Sequence, residues 1–168
     1  MIQRARILAL SATFIALIAV GSWLSIPLPP VPITLQTLFV LLAGIVMKRY
    51  GVIPVALYIL LGAIGLPVYH NGTAGPGILL GPTGGFLVGF IPAALVVGLV
   101  YEHKSPKLRM AGLFAATAVT YVFGVAWLSF SASLSIYQAI LIGVAPFVVG
   151  DIVKIAAAYT IGKRVESG

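Results

Sequence analysis

Six long apolar runs dominate the chain, near residues 5–24, 33–47, 52–66, 85–101, 110–128 and 136–162, and polar residues gather between them. None shows the two-residue alternation of a lipid-facing strand, so the pattern predicts helices. Most runs approach the length of about 20 residues that a bilayer crossing needs. The second and third are shorter, so their ends are expected to extend into the flanking loops or to meet a locally irregular core. The first run follows "RAR" but is longer than a signal-peptide core, and five more runs follow it. It reads as an uncleaved first helix.

The loops between the runs alternate in charge. Arg4 and Arg6 precede the first run, and Lys48 and Arg49 separate the second from the third. Lys104, Lys107 and Arg109 separate the fourth from the fifth, and Lys163 and Arg164 follow the sixth. Loops 25–32, 67–84 and 129–135 contain no Lys or Arg. Six spans with both termini in the cytoplasm satisfy the positive-inside rule throughout, whereas five would leave one basic cluster outside. Two of these loops are rich in Pro and Gly yet apolar between them, "SIPLPPVPITLQT" (25–37) and "GLPVYHNGTAGPGILLGPTGG" (65–85). Irregular apolar backbone must be covered by protein rather than lipid, so both loops are expected to cap a pocket at the outer mouth.

Composition sharpens the class. Of 168 residues, 61% are hydrophobic and 8% charged, with a mean hydropathy of +1.16. A soluble domain carries about 25% charged residues, so this is an all-α integral membrane protein forming one six-helix unit of the cell membrane. The net charge of +7 is explained by loop topology, not by nucleic acid binding. The absence of cysteine excludes disulfides, thiolate zinc sites and thiol catalysis.

Candidate chemistry is sparse. There is no GxxxxGK[ST] pattern, so no P-loop binds ATP in this chain. His70 and His103 fall on opposite sides of the membrane, and no carboxylate cluster, metal site, cofactor site or enzymatic constellation is expected. Asp151 and Lys154 are the exception, standing inside the last apolar run. Each charge near a bilayer centre costs about 2.5–3.5 kcal/mol on insertion scales, and three residues apart they share a helix face. They either neutralise each other as a packing lock or line a ligand pocket, where the carboxylate accepts N–H donors and the ammonium meets a carboxylate or carbonyl. If the last helix is straight and upright, Asp151 lies roughly mid-bilayer at about 1.5 Å per residue. Pro146 and Gly150 loosen the helix just before the pair. Thr34, Gln36, Tyr121, Trp127, Tyr137 and Gln138 are further polar or aromatic candidates at depth. Such a set suits a small, partly apolar solute carrying an acid and N–H groups. Ala5, Ala9, Ala12, Ala16 and Ala19 make a small-residue stripe on the first helix where a partner helix could approach closely, and Gly85 and Gly89 a second small pair for packing within the bundle.

Together, "PLPPVPITLQT", "GLPV", "GPTGGFLVGF" and "PFVVGDIVK" resemble the BioY family, the biotin-specific substrate-binding (S) components of energy-coupling factor transporters. The resemblance covers nearly the whole chain and its motifs fall in family order. It implies a six-helix membrane protein that captures biotin from the outer side. It further implies delivery through a transmembrane coupling protein and two cytoplasmic ATPases, with biotin as transported ligand and not as cofactor. Asp151 and Lys154 fall on the family's biotin-binding pair. Asn71 is the candidate in the outer loop after the third helix, and Thr34 and Gln36 lie inside a matching motif. "ATFIA", from Ala12 to Ala16, matches the motif that contacts the coupling protein. Other readings are a stand-alone or proton-coupled permease, a carrier of another small carboxylate-bearing vitamin, and a structural subunit with the charge pair as a packing lock.

Overall fold

The computed structural model describes residues 2–167. Helix α1 (Ile2–Trp23) leads into a hairpin of two short antiparallel strands, β1 (Ser25–Ile26) and β2 (Ile33–Thr34), in which Ser25 pairs with Thr34 and Ile26 with Ile33. Next come α2 (Gln36–Met47), a 3-10 turn at Lys48–Gly51 and α3 (Val52–Ala63). The following loop holds a 3-10 turn at His70–Gly72 and the single-turn α4 (Pro76–Leu80). The chain then forms α5 (Gly84–Val100), α6 (Pro106–Ser131), α7 (Ile136–Gly143) and α8 (Val148–Ser167).

Each of the six apolar runs contains helix, and the boundaries depart from expectation in instructive ways. The ends of the second and third do not extend outward. α2 and α3 are 12 residues each, because the proline-rich segment ahead of α2 closes a hairpin that takes Ile33 and Thr34 out of the helix. By length and apolarity, Gln3–Trp23, Gln36–Ala63 and Pro106–Ser131 can each cross a membrane, and α7–α8, bent by 55°, forms a fourth candidate. The stretch from 36 to 63 is not one rod. A straight helix would hold Gln36 and Tyr58 about 33 Å apart, yet Gln36 Nε2 donates to Tyr58 Oη at 2.6 Å. The chain folds back at Lys48, whose φ is 55°, and Gly51 lies against the Ala43 carbonyl, where a Cβ would come within 2.6 Å.

α2 is the central helix, packed on α1, α5 and α8. Val40, Ala43, Val55, Ala94 and Val97 make the innermost layer, with no more than 1% of their surface exposed. α5 and α6 share the most extensive interface, made possible by the expected glycine pair. Gly85 faces Trp127 and Phe123, and a Cβ on Gly89 would come 3.0 Å from Phe123 Cβ. Outside, α1, α3, α6 and α8 expose large apolar side chains such as Leu8, Leu60, Val122 and Val153, a surface suited to lipid.

The two ends of the bundle differ. At one, Glu166 accepts from Lys48 at 2.7 Å and from Arg109 at 2.5 Å, while Arg49 pairs with Glu102 at 2.6 Å. The basic clusters that the sequence separates therefore meet at one end. At the other end the two Pro- and Gly-rich loops meet: Trp23 Nε1 donates to the Pro67 carbonyl at 3.2 Å and Ser25 Oγ to Asn71 Oδ1 at 3.1 Å.

Candidate functional site

Beneath those loops lies a cleft enclosed between them and helices α2, α5, α6 and α8. Its roof is Val31 and Pro32 of the hairpin with Tyr69 and His70 of the later loop. Its apolar wall is Phe86 and Phe90 of α5 with Phe147. Polar groups enter from Thr34 of β2, from Gln36 and Thr37 at the start of α2, from Thr120 and Tyr121 of α6, and from Asp151 of α8.

Asp151 belongs to the first turn of α8, because the last apolar run is interrupted between Gly143 and Val148, around Pro146. The last run is therefore not one straight helix: the carboxylate sits near the start of a new helix, where amide dipoles favour negative charge. Only 5% of its surface is exposed. Oδ1 accepts from Lys154 Nζ at 2.8 Å and from Thr37 Oγ1 at 3.3 Å, and Oδ2 accepts from Tyr121 Oη at 2.5 Å. Lys154 Nζ donates also to Thr37 Oγ1 at 3.0 Å. The pair touches, as its spacing requires, but its members face different ways. Asp151 lines the cleft, whereas Lys154 stands behind Thr37 and lines a separate groove beside Trp23, Ile33 and Leu35.

The remaining expected residues divide similarly. Thr34 and Gln36 both line the cleft and are joined to each other, Thr34 Oγ1 donating to Gln36 Oε1 at 3.1 Å. Gln36 is held by Tyr58, which donates in turn to the Val68 carbonyl at 3.0 Å, so the amide is fixed to the floor of the roof loop. Asn71 lies outside the cleft, in a shallow depression against Pro27–Pro30, with a left-handed φ of 54° that Asn tolerates. Trp127 donates to the Gly81 carbonyl and borders an apolar hollow away from the cleft. Gln138 completes a capping box with Ser135, and Tyr137 is exposed. Ala5, Ala9, Ala12 and Ala16 are all exposed on α1, while Ala19 is buried.

Thr37 and the phenyl wall were not legible as site residues, since a lone Thr or Phe in an apolar run is ordinary; only the position of Thr37 beside Gln36 hints at it. In the roof, burial pushes the Tyr69 phenol up to about 12, keeping it a neutral donor to the Ile59 carbonyl at 2.6 Å. Burial also holds the His70 imidazole below its ordinary range, favouring the neutral ring.

An apolar helical bundle enclosing a loop-capped cleft with one buried carboxylate is the architecture of a membrane-embedded solute-binding protein. The BioY family model matches residues 1–168, and the chain belongs to the BioY family. It is 47% identical to the biotin transporter BioY of Thermotoga maritima, over 91% of each chain. It is 40% identical to that of Rhodobacter capsulatus, covering 95% of this chain and 93% of the relative. It is similar also to a solved S-component for biotin from an ECF-type ABC transporter, with a TM-score of 0.89 at 28% identity, covering 99% of this chain and 93% of that one.

Proposed function

We propose that this chain captures biotin and delivers it across the cell membrane as the substrate-binding subunit of an ATP-driven energy-coupling factor transporter. The observation that carries the reading is the cleft, in a chain that matches the family along its whole length. It sets one buried carboxylate, an amide and several hydroxyls against phenyl rings. Biotin offers the complement: ureido N–H donors, a carbonyl, a tail carboxylate and an apolar body. Asp151 accepts an N–H, Gln36 and Thr34 supply further hydrogen bonds, and Lys154 holds Asp151 and Thr37 in position from behind. Asn71 works in the roof, through its bond to Ser25. The chain acts as a transporter component and performs no chemistry on its ligand.

In this reading six spans cross the cell membrane. The basic end and both termini face the cytoplasm, as the charge bias favours, and the cleft faces outward. The exposed stripe through Ala12 and Ala16 gives a close-approach face to a coupling protein, which two cytoplasmic ATPases energise.

A thermal-shift titration of the purified protein tests the ligand. A ligand bound only by the folded state stabilises it by about 2.7 kcal/mol at a hundredfold excess over Kd, so biotin is expected to raise the melting temperature. The Asp151→Asn, Lys154→Ala double variant is expected to lose that rise. An undiminished shift in the double variant would sink the site assignment, and no shift in the parent protein would sink biotin.

A further inference from the structure

The basic end holds a second concavity, remote from the ligand cleft. It is a groove of about 330 Å³ between the start of α1 and the reversal that joins α2 to α3. Ile7, Leu10, Val46 and Met47 supply its apolar lining, and Gln3, Arg6, Lys48 and Tyr50 its polar lining. Both charged residues that line it are cations. Lys48 is engaged by Glu166 at 2.7 Å and lies over the Tyr101 ring. Arg6 is exposed and, among the described residues, has no hydrogen-bond or ion-pair partner. The left-handed backbone of Lys48, uncommon for a residue other than glycine, fixes the far rim. The groove thus sets an unpaired guanidinium, an amide and a phenol beside the apolar side chains of Ile7, Leu10, Val46 and Met47.

That combination matches a phospholipid better than a soluble anion. A guanidinium binds phosphate oxygens in bidentate fashion, and basic pockets between membrane helices on the cytoplasmic side suit anionic headgroups. The apolar lining suits the upper acyl chain, which a free phosphate lacks. We propose that this groove holds an anionic phospholipid of the cytoplasmic leaflet, its phosphate on Arg6 and its chain along Ile7 and Leu10. The proposal rests on the reading above that the basic end lies at the cytoplasmic headgroup layer. It leaves the partner face free: at about 100° per residue the alanine stripe lies about 140° around α1 from the groove, so lipid and coupling protein can occupy α1 together.

Native mass spectrometry of the full chain, released from detergent with equal phosphatidylglycerol and phosphatidylcholine, tests the proposal. One phosphatidylglycerol is expected to be retained in preference to phosphatidylcholine. Arg6→Gln is expected to lower that retention about fivefold, the effect of one cation near a lipid surface. Gln3→Glu, which sets a negative charge in the polar lining without altering the apolar one, is expected to lower it similarly. Arg4→Gln, off the groove, is expected to leave retention unchanged, and neither inorganic phosphate nor glycerol 3-phosphate is expected to compete. Equal retention of the two lipids, an Arg4→Gln effect as large as that of Arg6→Gln, or competition by inorganic phosphate would each overturn the proposal. Biotin thermal shifts on the same samples report folding and test the ligand separately. A parent protein that ignores biotin yet retains phosphatidylglycerol removes the ligand reading and leaves the lipid site standing.

Discussion

Asp151 carries the heaviest load of any residue in the molecule. A buried carboxylate is tolerable because Lys154, Thr37 and Tyr121 all donate to it. Breaking a buried ion pair from one side costs about 3–5 kcal/mol, whereas removing both members is often near neutral. Lys154→Met alone is therefore expected to destabilise the protein by about 3–5 kcal/mol, read by denaturation in detergent, while the double neutral variant stays closer to the parent and loses biotin. A packing lock predicts the same stabilities with no change in ligand binding, so the pair of measurements separates the two roles. Tyr121→Phe keeps the ring and removes one charge-assisted bond worth about 1.5–3 kcal/mol. Biotin affinity is expected to fall tenfold or more by direct titration. His70 makes a pH prediction. Its depressed folded-state pKa means that the opened or unfolded loop takes up the proton first. Stability is fully present above about 6.5, the ordinary imidazole value, and is lost as pH falls through the lower folded value. The melting temperature is expected to drop between pH 7.5 and 5.5, and to drop less in His70→Gln.

At the scale of elements, the tight α5–α6 interface depends on Gly85 and Gly89. Overpacking a fitted interface costs about 1–3 kcal/mol, so Gly89→Leu is expected to lower the melting temperature, with Phe123→Ala restoring part of the loss by vacating the space. That pair was legible in the sequence as two small residues one turn apart, and so were the six helical runs, because lipid forces backbone polar groups into helices. The hairpin at 25–34 was legible only as stiff extended chain. Its closure depends on Val31 reaching Leu128, Ala139 and Phe147, contacts distant in sequence. The reversal at Lys48 through Gly51 falls where the charges of Lys48 and Arg49 separate the second and third runs. α4 and the turn at His70 are single turns set by packing and carry no periodicity to read. For the site, spacing fixed the shared face of Asp151 and Lys154 but not their separate outlooks, because a threefold spacing says nothing about what stands in front of each side chain. Asn71 stands in a loop that roofs the cleft but outside the cleft itself, since loop geometry has no repeat from which direction can be inferred.

For the whole molecule, the separation of ends frames the transport question. The basic residues gather at one pole and the cleft lies toward the other, so a ligand in the cleft has no open path to the basic pole through the packed layer of Val40, Ala43, Val55, Ala94 and Val97. Delivery requires the bundle to move as a body or its layers to part. An energised module is the expected source of that motion. Labelled biotin uptake should be absent in a host lacking any energising module and restored when one is supplied. Persistent uptake in the lacking host would favour a stand-alone permease.

Helix α3 has one more consequence. Its 12 residues rise about 18 Å, while α6, with 26 residues, rises about 39 Å. Hydrocarbon about 30 Å thick therefore meets a short flank on one side of the protein and a tall one on the other. Lipid beside α3 must thin, or the roof loops above it must sit within acyl-chain depth, at a cost that grows with each ångström of mismatch. On the proposed reading that biotin sits beneath these loops, its exchange is expected to slow in vesicles of longer-chained lipid, where taller tails press against the roof.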